Sequence, residues 1–451
     1  MKNEQADLRR AWLALLALAL GFSMTMLDQV SVAVALPAIA AEWGVTYDAA
    51  VWVSSAYLLA VVVPLLATGR MGDRFGLRQM FLAGIAVFTV FAVASAMAPS
   101  FSLLLLARFF QGLGASMLLP QTLAIISQVF PRERRGTALG VWGVVGAVTG
   151  TFAPMLAGFL VGGVGWRWIF LLHLPLGLLT LAAGWAWVPR LPVHRTSIDL
   201  VSVGLSLVGI GAVVYAIQGG LNTPVLWGAG AIGLVALGGF VLRQRRAGAL
   251  VPLRLFRRRN FVVGTGTIMV MGALASAQFI PLMTWLQDDV GLSVETAGMV
   301  ATPMAVVGFF MGLWCGWLSD RVRPALMHHV GFAILAVSLG TVVVLILADG
   351  RLPGLIAMVI AAVIGLGVGQ SFIWASNAAA VFGDVDPSDM GAASGAYNMS
   401  RQLGGVLGVA LVGAVLAGFG PAAAMAALTS LVVVGFIVSG LFGTAQVQPG
   451  H

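Results

Sequence analysis

Of the 451 residues, 60% are hydrophobic and only 9% charged, with a mean hydropathy of +1.00. A soluble globular domain carries about 25% charged residues, so a water-exposed fold is excluded. The net charge of +8 does not indicate a nucleic-acid binder, because the basic residues sit in short segments between apolar runs and not on one solvated face.

The apolar runs have the length, about 20 residues, that carries a helix across a bilayer. They are continuous and not alternating, which predicts helices and not barrel strands. In chain order, the predicted spans are 11–38, 49–68, 79–98, 102–125, 137–160, 168–188, 199–218, 224–242, 261–286, 297–318, 325–348, 354–376, 393–417 and 421–443. The expected fold is therefore an all-α polytopic bundle of fourteen membrane helices. Lys2, Arg9 and Arg10 before the first run, with Ala33-Val34-Ala35 after it, imitate a signal peptide. No cleavage is expected, because a motif spanning Leu27 to Pro37 runs straight through that point.

Charge distribution sets the orientation. With the N-terminus placed inside, 21 of the 24 basic residues fall in cytoplasmic segments. Only Arg167 and Arg351 fall outside, and Arg108 lies within a span. This is the positive-inside pattern, and both termini are expected in the cytoplasm. One Lys against 23 Arg, with 58 Gly, suggests a GC-rich bacterial genome and hence a bacterial inner membrane.

Gly69-Arg-Met-Gly-Asp73-Arg74 recurs as Gly316-Trp-Leu-Ser-Asp320-Arg321. Both copies follow an even-numbered span. Two six-span halves related by a parallel repeat, separated by two inserted spans, account for the offset. The expected division is residues 1–195 for the first half, 196–246 for the two inserted helices and 247–451 for the second half.

Several segments then carry a resemblance. Leu27-Asp28 to Leu36-Pro37 resembles the first-helix motif of the fourteen-span drug:proton antiporter family of the major facilitator superfamily. Gly69 to Gln79, containing Gly72, Asp73, Arg74, Gly76 and Arg78, is similar to the superfamily's cytoplasmic loop motif. Arg108 to Gly114 resembles its fourth-helix motif, Trp166 to Gly177 the fourteen-span family's span-six start, and Gly391 to Gly405 its late-chain signature. The fifth-helix antiporter motif is matched by Gly146, Gly150, Pro154 and Gly158, with Ala153 and Ala157 where glycines are usual. Ala33 and His173 each stand where the family usually has Asn. The resemblance implies a proton-coupled exporter of lipophilic drugs and toxic compounds, working by alternating access without cofactor. It also implies that the Asp73 motif latches the two halves in the outward-facing state.

The residues themselves point to chemistry. Asp28 is the one carboxylate placed well inside a span. Burial makes its ionised form costly, which suits a reversible proton carrier; a hydrated or helix-packing role is the alternative. Arg108, also within a span, needs a partner, and Asp28 is the proposed one, with snorkelling to headgroups as the alternative. Asp73 is expected near the positive N-terminal end of a helix starting near Gly391. Gln111, Gln278, Trp374 and Asn377 either face a central cavity or are ordinary helix contacts. The single cysteine, Cys315, excludes an intrachain disulfide and a cysteine-built metal site, and His328-His329 lacks metal-ligand spacing.

A Walker A loop needs a lysine beside its glycines, and Lys2 is the only one, so no ATP-driven pump is encoded. No zinc motif or nucleophile elbow occurs, and no loop is long enough for a catalytic domain; no enzyme activity is expected. The expected partners are the lipid bilayer, protons and a lipophilic small molecule, with no nucleic acid and no ATP, and the chain is expected to work as a monomer. A dedicated exporter of one metabolite or self-made antibiotic is the nearer alternative. A transport-inactive sensor or assembly protein is the more distant one.

Overall fold

The computed structural model describes residues 2–193, 199–218, 223–245, 250–348, 354–383 and 385–442. The expected division points at 195/196 and 246/247, with Arg195, Arg246, Arg351 and the C-terminal end, lie outside these residues.

The first part of the chain forms α1 (Lys2–Trp43), α2 (Tyr47–Val62), α3 (Leu65–Phe75), α4 (Leu77–Ala96), α5 (Phe101–Val129), α6 (Arg135–Gly163), α7 (Arg167–Leu171) and α8 (His173–Trp187). Then come α9 (Leu200–Gln218), α10 (Pro224–Arg243) and the short α11 (Leu253–Phe256). The last part forms α12 (Arg259–Ala277), α13 (Phe279–Thr284), α14 (Val294–Ser319), α15 (Pro324–Leu347), α16 (Leu355–Gly383) and α17 (Met390–Ser439). Helix is the element these sequences must take in lipid, since it satisfies every backbone group within the segment.

Among the described residues, 12 helices are long and apolar enough to cross a membrane, or 13 with the bent pair α2–α3 taken as one span. The chain is a multi-pass membrane protein. The pair bends by 47° around Pro64, whose ring removes a backbone donor. Beyond the bend the helix runs on to Phe75, so Gly69 to Arg74 is the end of a helix and not the loop expected from sequence. Leu65, Leu66 and Ala67 bury the same segment as Gly69, Arg70, Gly72 and Asp73, and burial of this face keeps it helical until Gly76. Gly76 takes φ 101°, a conformation that other residues adopt only with strain. The spans expected at 393–417 and 421–443 correspond to the two arms of α17, separated by non-helical backbone at Gly420 (φ 79°) before Pro421.

The helix ends carrying Arg70, Arg135, Arg254, Asp320 and Asp389 meet at one end of the bundle. At this basic end α6 packs against α14 and α3 against α17 with almost no room. A Cβ added at Gly140 would lie 2.7 Å from the Gly316 Cα, and one at Gly69 would overlap the Gly391 carbonyl. Farther along α6, Gly150, Gly158 and Gly162 have no such neighbour within 4 Å.

Candidate functional site: a buried ion pair and two helix-capping carboxylates

Asp28 lies in the middle of α1 and Arg108 two turns into α5, and both side chains are fully enclosed. Arg108 Nη1 donates to both carboxylate oxygens of Asp28 at 2.8 Å. It also donates to Gln111 Oε1 at 2.7 Å, and Gln111 Nε2 donates to Asp28 Oδ1 at 2.9 Å. One turn separates Arg108 from Gln111 on α5, so one helix face supplies the cation and the amide that bridges to its partner. Arg108 Nε donates to the Val53 carbonyl of α2 at 3.1 Å. Its guanidinium stands 4.4 Å from the Tyr57 ring centre and 5.4 Å from that of Phe170.

Arg108 Nη2 finds no partner among the described residues. His173, fully buried on α8, places Nε2 3.2 Å from the Met24 carbonyl, one turn before Asp28. A carbonyl can only accept, so Nε2 carries the hydrogen. The site is an enclosed polar nest that holds one balanced charge pair.

At the basic end two carboxylates cap helices distant in the chain. Asp73 accepts from the backbone N–H groups of Gly391 and Ala392 at 2.7 and 3.0 Å, at the positive N-terminus of α17. Asp320 accepts from Gly136 N and Thr137 N of α6 at 2.6 and 2.9 Å, and from Thr137 Oγ1 at 2.5 Å. Burial lifts the Asp320 carboxyl above the usual carboxylate range despite these donors. Arg70 Nη1 lies 3.4 Å from Asp73 and 3.2 Å from Asp389.

A family model described as Major Facilitator Superfamily matches residues 18–409. The chain belongs to the major facilitator superfamily. It is 37% identical over 413 residues to an uncharacterised MFS-type transporter of Mycobacterium tuberculosis, covering 90% of this chain and 70% of that one. It is 31% identical over 424 residues to the tetracenomycin C resistance and export protein of Streptomyces glaucescens, covering 90% and 76%. The solved structure of a proton:xylose symporter of the superfamily superposes with a TM-score of 0.70 at 12% identity, covering 96% of this chain and 95% of that one. That likeness concerns the fold.

Within this facilitator fold the other sequence-derived candidates scatter. Gln278 and Asn377 are buried and bond to neighbouring helices. Gln278 Oε1 accepts from Gln370 Nε2 at 2.9 Å, and Asn377 Nδ2 donates to Thr267 Oγ1 at 2.6 Å. Trp374 packs partly buried on the core. Gln111, also a cavity candidate, belongs to the ion-pair nest. On α6, Gly146 abuts the Phe22 ring, whereas Gly158 and Pro154 are exposed. Of the Asp73 motif, Gly72 packs on the Gln121 side chain. Arg74 lies 5.5 Å from the Phe75 ring, and Arg78 Nη2 donates to the Trp185 carbonyl at 2.5 Å. Sequence reasoning missed Tyr57, Arg70 and Asp389. A tyrosine in an apolar run and an arginine in a basic turn carry no signal of their own.

Proposed function

We propose that this facilitator is a proton-coupled antiporter that exports lipophilic small molecules across the bacterial inner membrane. The enclosed Asp28–Arg108–Gln111 nest carries the reading. Protonation of Asp28 would cancel one charge of a pair held away from water and leave Arg108 uncompensated. An uncompensated buried charge costs about 3–5 kcal/mol, enough to shift the balance between two packings of the bundle. A proton moving down the membrane potential supplies about 2.3 kcal/mol per 100 mV. Proton and substrate would thus compete for one electrostatic site, and one buried acid suits a neutral or singly charged cargo.

The topology that goes with this reading has fourteen spans in a 6+2+6 order, with the basic end in the cytoplasm. The 12 apolar helices, the bent α2–α3 pair and the break at Gly420 support the count. At about 1.5 Å per residue, 50 helical residues are more than twice as long as a bilayer core is thick. Closure of both halves at the basic end, with the Asp73 and Asp320 caps in place, then corresponds to an outward-facing state. The protein would work as a monomer.

The similarity to a tetracenomycin C resistance and export protein favours one second reading, a dedicated exporter of one metabolite or self-made antibiotic. Dye and drug uptake into inverted vesicles separates these readings. Uptake that follows an imposed proton gradient and is lost in Asp28→Asn supports the antiporter. Gradient-driven uptake that persists in Asp28→Asn removes Asp28 from the mechanism. Transport confined to one compound class favours the dedicated exporter.

A further inference from the structure

Seven of the 23 arginines fall between residues 243 and 259, more than the two or three that suffice in the other basic segments. The structure shows what part of this stretch looks like. In α11, Leu255 is buried while Leu253 and Phe256 are 41% and 50% exposed. Arg254, Arg257 and Arg258 point outward beside them. The Phe256 ring stands 5.7 Å from that of Phe261 in the first turn of α12. This holds α11 against the first turn of α12. Among the described residues, no carboxylate pairs with Arg257 or Arg258.

Arg254 differs from its neighbours. Its Nε donates to Asp389 Oδ2 at 2.5 Å, while the side chain stays 62% exposed and that of Asp389 is buried. Asp389 also accepts from Arg70, which stands beside Asp73. Arg254 is therefore the exposed end of a row of alternating charges, Arg254–Asp389–Arg70–Asp73, that runs inward to the cap on α17.

We propose that α11 binds the phosphodiester headgroup of an anionic lipid, and that the lipid competes with Asp389 for Arg254. Basic clusters at a membrane boundary attract anionic lipid. The guanidinium fork suits phosphate oxygens. Exposed Leu253 and Phe256 are placed to enter the boundary between headgroup and acyl chains, which a free phosphate ion would not use. Bound lipid draws Arg254 outward, leaves Asp389 to Arg70 alone and loosens the row that ends at the α17 cap. Membrane composition would thereby set how readily the basic end opens.

The test uses the purified full-length chain in neutral detergent, titrated with short-chain phosphatidylglycerol, the same-chain phosphatidylcholine and inorganic phosphate. Binding is read by native mass spectrometry and thermal melting. Phosphatidylglycerol is expected to bind and raise the melting temperature, with phosphatidylcholine and phosphate doing neither. Arg257→Gln/Arg258→Gln should weaken phosphatidylglycerol about thirtyfold, since each charge near an anionic surface contributes about fivefold. Leu253→Ser/Phe256→Ser should weaken it as well. Equal binding of the two lipids, an unaffected double arginine variant, or a full effect from phosphate alone would overturn the lipid site. Asp389→Asn should tighten phosphatidylglycerol by releasing Arg254, and Arg254→Gln should abolish that gain. If Asp389→Asn folds and binds as wild type does, or if Arg254→Gln binds as tightly as wild type, the competition is wrong.

Discussion

Asp73 and Asp320 occupy the same place in the two copies of one sequence repeat, and each caps the N-terminus of a helix distant in the chain. Asp73 takes the second and third backbone N–H groups of α17, and Asp320 takes those of α6. The surroundings differ. Arg70 beside Asp73 is replaced in the second copy by Trp317, whose ring centre lies 4.0 Å from the Arg321 guanidinium. The first cap thus belongs to a charge network and the second stands on its hydrogen bonds.

Replacing one accepting oxygen of the second cap by an amide nitrogen, which cannot accept from Thr137, should therefore open the α6–α14 contact. Hydrogen bonds to a charged group contribute about 1.5–3 kcal/mol. Cys315, the single thiol, is fully buried next to Gly316, which faces Gly140. In Asp320→Asn its alkylation is expected to accelerate about tenfold or more. An unchanged rate would mean that the cap does not hold this contact closed.

Acidification should act through the same residue. Burial raises the folded-state pKa of Asp320 above that of the unfolded chain, so the folded state holds the proton more tightly. This contribution to stability is complete below the ordinary carboxylate value, near 4, and is lost as pH rises through the folded value. The wild-type melting temperature should accordingly rise relative to that of Asp320→Asn as pH falls from 7 toward 4. A constant difference between the two would contradict this sign.

Much of the bundle was legible because lipid leaves the chain few options. Apolar length alone located α4, α5, α9, α10 and α15 to within a few residues. The helix break at Pro64 and the helical state of Gly69 to Arg74 were not legible, because a glycine-rich, charged segment reads as a loop until its buried neighbours are known. Asp28 and Arg108 stood out because a charge within an apolar run demands compensation, and the structure places them in contact. Asp73 was likewise expected beside Gly391, where it lies. Gln278 and Asn377 stayed open because an amide at depth is equally at home lining a cavity or bonding to another helix; their partners Gln370 and Thr267 are distant in sequence. Tyr57 at Arg108 depends on how α2 crosses α5, which no local pattern encodes.

The pair itself makes an asymmetric stability prediction. Arg108→Ala leaves Asp28 buried without its cation and should destabilise the protein by about 3–5 kcal/mol. Asp28→Asn/Arg108→Gln removes both charges and keeps polar groups in place, so it should recover a large part of that loss. Thermal melting in detergent measures both. Equal destabilisation in the two variants would mean that charge compensation is not what the contact supplies.

Accessibility to a membrane-impermeant thiol reagent tests the topology on which the transport reading depends. In a Cys315→Ala background, Pro252→Cys, before α11, should react only in inverted vesicles. Val164→Cys, after α6, should react in intact cells. Phe419→Cys decides the count. Phe419 is 80% exposed and directly precedes the break at Gly420. If residues 390–439 cross twice, the break forms an external turn and this thiol reacts from outside. If they cross once, residue 419 lies within the hydrocarbon, where the reagent cannot reach and the thiolate does not form. Labelling at 252 from outside would invert the assigned orientation and put both carboxylate caps on the external face. The closed end would then face outward, and the proposed direction of transport would lose its structural basis.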